Sequence, residues 1–84
     1  MEDGMSLVIK YLVELQKEIL AKAKGYKNQR HGQSYMTALY NTNRKVYNRI
    51  AAGEGDCFYS DANISAFWMR LTQIVLDYQL TSNN

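Results

Sequence analysis

Residues 61–78 (DANISAFWMRLTQIVLDY) constrain the fold more than any other stretch of this chain. Apolar side chains recur at Ile64, Phe67, Trp68, Leu71, Ile74, Val75 and Tyr78, at intervals of three and four. That spacing lays one continuous stripe along a helix and fits no strand template. The start is marked as well. Ser60 suits an N-cap, Asp61 places negative charge on the first turn, and Tyr59 with Ile64 is spaced as a hydrophobic staple. The stripe carries the only Trp and one of the two Phe residues. It is therefore expected to form the core of a small helical domain, with the helix running over about 61–80.

Two further helices are expected. The first covers about 5–24, where Met5, Val8, Leu12, Leu15 and Ile19 form a seam. Ile9, Val13 and Leu20 widen the seam on one side, and Leu7 and Tyr11 on the other. A face that broad suits either a helix wedged between two others or a surface for self-association. Glu14 with Lys17 and Glu18 with Lys22 add helix-surface pairs, and Gly25 reads as the C′ residue that ends the helix. Residues 25–33 read as a polar, basic loop. The second helix is expected over 34–52, capped by Ser34, with a seam of Met36, Leu39 or Tyr40, then Val46 or Tyr47, then Ile50. Asn43 falls where that seam needs an apolar residue, beside the weak helix formers Asn41 and Thr42. Two readings stand for it: a boundary position in water, or a polar contact to a second copy or a ligand. Gly53 and Gly55 end this helix. The expected architecture is thus all-α, a single three-helix domain over 1–84, with Asn43, Ile9, Val13 and Leu20 as a candidate oligomer interface and a homo-oligomer preferred to a monomer.

A chain of 84 residues buries only about 60–65% of its unfolded surface, so its stability is expected to be modest. The single cysteine, Cys57, cannot form an intrachain disulfide, which suits a reducing compartment. The acidic start, Glu2 and Asp3, is unlike the basic region that opens a secretory signal. No apolar run approaches the ~20 residues of a membrane span. A cytoplasmic protein without membrane contact is expected.

Little here suggests catalysis. The only histidine, His31, and the only cysteine, Cys57, lie in expected loops with no local motif around them. They are too few for a metal site, and the spacing of Glu54 and Asp56 does not fit a twelve-residue calcium loop. No phosphate-cradling glycine motif is present. No enzyme activity, metal or cofactor is expected.

Charge is distributed in blocks. The net charge is only +2, yet no acidic residue lies between Glu18 and Glu54. That interval holds seven basic residues: Lys22, Lys24, Lys27, Arg30, Arg44, Lys45 and Arg49. Such segregation bears on partner choice. On the second helix Lys45 and Arg49 share a face, Arg44 adjoins it, Asn41 and Asn48 flank it, and Tyr40 and Tyr47 lie toward its edges. Lys27, Arg30 and His31 extend the patch from the loop. Arg and Lys neutralise carboxylate or phosphate, Asn supplies hydrogen bonds, and Tyr offers a flat surface. One reading is a solvated face balanced by acids on neighbouring helices. The other is a binding site, for which two partners come into question. The first is a protein with an acidic surface, bound by a small regulatory or inhibitory module. The second is a phosphate-bearing ligand, a nucleotide or cyclic nucleotide before nucleic acid, since no helix-turn-helix spacing is found and the pI is only 8.7. In size and composition the chain is similar to small accessory and host-takeover proteins encoded by phages.

Overall fold

A computed structural model of the chain describes the backbone of residues 4–82 and the side chains of residues 6–77. It contains the α-helices α1 (Gly4–Ala23), α2 (His31–Thr42), α3 (Arg44–Ile50) and α4 (Ile64–Ser82), with a 3-10 turn (Asp61–Asn63) leading into α4. Among the described residues there is no strand, and no helix is long and apolar enough to cross a membrane.

The stripe of α4 does centre the fold. Phe67, Leu71, Ile74 and Val75 are at most 3% exposed and face Val8, Leu15 and Ile19 of α1, Met36, Ala38 and Leu39 of α2, and Val46 and Ile50 of α3 in one cluster. Trp68 packs at the edge of that cluster, half-buried, against Phe67 and Tyr35. α1 packs on α2 and α4, and α3 on α2 and α4. Met5 and Tyr78, assigned to the seams from the sequence, lie outside the described side chains.

The helix expected over 34–52 is two helices, so the described residues form four α-helices rather than three. Asn43 interrupts it in an extended conformation (φ −150°, ψ 95°), and its Oδ1 accepts from the Val46 N–H at 3.1 Å as the N-cap of α3. A side chain that can cap its own downstream turn gives the backbone an alternative to continuing the helix. The expected boundary at Ser34 is also wrong. α2 begins three residues earlier, and Ser34 lies inside it at 4% exposure. Arg30 stands at the N-cap position without a side-chain cap bond. The donor at the next residue but one is met from a distance: Asp61 Oδ1 accepts from the Gly32 N–H at 2.9 Å. The start signals read for 61–80 are correspondingly redirected. Ser60 caps the 3-10 turn by position only, with no side-chain bond. Tyr59 is 86% exposed and packs on Phe58 instead of stapling to Ile64.

Gly25, Gly53 and Gly55 follow the helix ends as expected, but none of them has a positive φ. Gly25 does not take a left-handed conformation; α1 closes with tight turn bonds, Gly25 N–H to Lys22 O at 3.0 Å and Tyr26 N–H to Ala23 O at 3.2 Å. After α3 the left-handed residue is Ala52 (φ 66°), a position that strains a side chain. Asp56 holds that loop, accepting from the Ala52 N–H at 2.7 Å and the Phe58 N–H at 2.9 Å.

Candidate functional site

The break at Asn43 positions the basic residues. Val46 and Ile50 turn one side of α3 into the core, so Arg44, Lys45 and Asn48 face outward, and all three are exposed. Arg44 folds back along the chain. Its Cζ sits 3.5 Å from the centre of the Tyr40 ring, and its Nε donates to the Tyr40 carbonyl at 3.4 Å. Tyr40 in turn meets Tyr47 edge to face, with ring centres 5.0 Å apart. The two tyrosines, Met36, Thr37 and Phe58 surround a shallow cavity of about 130 Å³. The result is a preformed tier: a planar cation on an aromatic ring, supported by a second ring, with Lys45 and Asn48 beside it.

The other residues assigned to the site from the sequence do not join this tier. Arg49 reaches Asp77 on α4 at 3.8 Å, a surface pair between helices. Asn41 is committed to the α1–α2 junction: its Nδ2 donates to the Tyr26 hydroxyl at 3.2 Å, and its carbonyl accepts from Lys22 Nζ at 3.2 Å. Lys22 also donates to the Thr42 hydroxyl at 2.9 Å, so its charge sits at the negative end of α2. Arg30 is a clasp. It pairs with Asp61 at 3.1 Å and donates to the Phe58 carbonyl, fastening the start of α2 to the approach to α4. Lys27 lies apart, on a cleft beside the end of α1. The single patch expected from the sequence is therefore divided in two, with several of its charges satisfied within the chain.

The candidate oligomer interface divides as well. Ile9, Val13 and Leu20 are 52, 39 and 42% exposed and share one flank of α1 at helical spacing. Asn43 is not part of that surface. Its Nδ2 donates to the hydroxyl of Tyr11 at 2.8 Å, and Tyr11 belongs to the opposite flank of α1.

Asp61 is the polar residue whose role sequence reasoning missed. It serves Gly32 and Arg30 across the fold, from a position 29 residues beyond Gly32 that no local sequence signal links to the start of α2. Among the described residues no three His, Cys, Asp or Glu side chains gather as a metal site requires. Cys57 is fully buried, and its thiol donates to the Gly32 carbonyl at 3.3 Å. Burial pushes its pKa up to about 11, with the charges of Asp56 and Asp61 adding to the rise. The group is held as a thiol, not as the thiolate a nucleophile needs.

No protein-family model, curated protein or solved structure matches the chain.

Proposed function

We propose that this chain is a small non-enzymatic interaction protein that binds an acidic surface of a protein partner through Arg44 and Lys45, with Tyr40 and Tyr47 as the flat part of the contact. The observation that carries this reading is the exposed Arg44 guanidinium, stacked on Tyr40 and paired with no acid among the described residues. Stacking restricts a side chain that would otherwise lose rotamer freedom on binding, so less entropy remains to be lost. Arg and Tyr are also the residue types that most often dominate interface energies.

The size of the cavity favours a protein surface over a small molecule at this face. About 130 Å³ lies below the ~300 Å³ at which small-molecule sites begin. Arg49, tied to Asp77, stands at the rim and not at the centre. Binding of this kind suits a regulatory or inhibitory module that covers or recruits an acidic face of another protein. The test is the double variant Arg44→Glu, Lys45→Glu used as bait beside the wild type. The partner is expected on the wild-type bait and to be lost from the variant, whose helicity should be unchanged. Retention of the same partner by the variant would exclude this face as the site.

A further inference from the structure

We propose that the cleft between the end of α1 and the start of α2 is a separate binding site for a phosphate monoester: an oxyanion held by Lys24, Lys27 and His31, on a small organic body lying against Leu20, Ala23 and Tyr35. The cleft encloses about 400 Å³, within the ~300–1,000 Å³ typical of small-ligand sites. It is distinct from the Arg44–Tyr40 face.

Charge comes first. None of the residues lining the cleft is acidic. Lys24 and Lys27 are exposed and make no ion pair among the described residues. Glu18, the nearest acid in the chain, is paired with Lys22 at 3.6 Å, and Asp61 is held by Arg30 and the Gly32 N–H.

The cleft also offers uncommitted donors. The Gln29 side chain, which also lines the cleft, stands 3.1 Å from the Thr37 hydroxyl, whose single proton goes to the Gln33 carbonyl at 2.9 Å. The Tyr26 oxygen accepts from Asn41 Nδ2, which leaves its own O–H. Ser34 is only 4% exposed, yet its hydroxyl makes no hydrogen bond to a described residue. Among the described residues no fully buried side-chain oxygen lacks a partner, so this hydroxyl keeps some exposure, and Ser34 lines the cleft. A ligand oxygen in the cleft can take the proton that this hydroxyl offers. Two ammonium groups, an imidazole, a phenol and a hydroxyl can each offer a proton to the several acceptor oxygens of a phosphate. Tyr35 supplies a fixed wall, its ring 5.3 Å from Trp68 and 6.1 Å from Phe67.

The experiment is a titration of the ¹⁵N-labelled full chain, followed by amide shifts. The probes are adenosine monophosphate, glycerol 3-phosphate, inorganic phosphate and adenosine, with sodium chloride at matched ionic strength. Saturable shifts confined to residues 20–35 are expected with both esters and more weakly with phosphate, but not with adenosine or salt. The tighter ester reports whether the organic body is planar. The variant Lys24→Gln, Lys27→Gln should bind about tenfold more weakly or worse with its spectrum still dispersed, and Arg44→Glu should bind as the wild type does. Absence of saturable shifts into the millimolar range, equal shifts from adenosine, unchanged affinity in the Lys variant, or loss in Arg44→Glu would each overturn the proposal.

Discussion

Asn43 Nδ2 donates to the Tyr11 hydroxyl at 2.8 Å, so the residue that divides α2 from α3 is also pinned to α1. Its Oδ1 meanwhile caps α3 through the Val46 N–H at 3.1 Å. One side chain thus sets where the second helical segment breaks and how the basic α3 is aimed. Loss of the cap in Asn43→Ala should cost about 1–2 kcal/mol, whereas Tyr11→Phe should cost only about 0.5–1 kcal/mol, because the bond is solvent-accessible. Urea unfolding of both single variants and the double variant measures the coupling. Additive effects would mean the Asn43–Tyr11 bond contributes nothing.

Gly32 is required by contact. A Cβ there would stand 2.3 Å from the Cys57 carbonyl oxygen and 2.9 Å from Asp61 Oδ1. Alanine would gain about 1 kcal/mol in helix propensity, but the main-chain oxygen can yield only if residues 57–61 shift. Overpacking of this kind costs roughly 1–3 kcal/mol, and the lost Asp61 cap adds about 1 kcal/mol. Gly32→Ala is therefore expected to be destabilised by about 2 kcal/mol. Gly25→Ala, whose Cβ would meet nothing closer than 3.4 Å, should be nearly neutral. Thermal unfolding of the pair checks the contrast, and equal melting temperatures would contradict it.

Cys57 gives the chain a defined alkaline weakness. Its pKa is raised on folding from 9.0 to about 11, so the folded state holds the thiol proton more tightly than the unfolded state. The contribution is complete below pH 9 and is lost as pH rises through about 11. At about 1.4 kcal/mol per pKa unit, the loss totals roughly 3 kcal/mol. Lys and Tyr titrate in the same range in any variant, so the informative quantity is a difference. The stability gap between wild type and Cys57→Ala, measured by urea unfolding at about pH 8 and about pH 10.5, should narrow at the higher pH. A gap independent of pH would contradict the burial argument.

Phe67 and Trp68 are adjacent, but they contribute unequally. Phe67 is fully buried, and Trp68 lies half-buried at the edge of the core. Phe67→Ala should cost about 3–5 kcal/mol, and Trp68→Ala roughly 1–3 kcal/mol, because part of that ring already faces water. Chemical denaturation orders the two, and a larger loss at Trp68 would move the centre of the core.

These contrasts show where sequence periodicity carries and where it stops. α1 and α4 were legible because each repeats its apolar residues over several turns, and burial follows that repeat at Val8, Leu15 and Ile19 and at Phe67, Leu71, Ile74 and Val75. The division at Asn43 was half visible. The weak helix formers Asn41, Thr42 and Asn43 stood out, but Val46 and Ile50 keep the helical spacing going, and the pattern alone did not show that Asn43 begins a new helix. The start of α2 was not legible, since its cap comes from Asp61, distant in sequence. For the same reason the basic segment looked like one patch. The pairs that divide it, Arg30 with Asp61 and Arg49 with Asp77, are set by packing. Within it the residue types of the tier were legible, but neither the Tyr40–Arg44 stack nor its support by Tyr47 was, since both contacts cross the helix break at Asn43.

Native mass spectrometry of gently purified protein tests the central claim most directly. The wild-type chain should carry a protein partner that Arg44→Glu, Lys45→Glu has lost, with both forms equally helical. A wild-type spectrum containing only this chain, or the same partner retained on the variant, would contradict the assignment of the Arg44–Tyr40 face as the binding site.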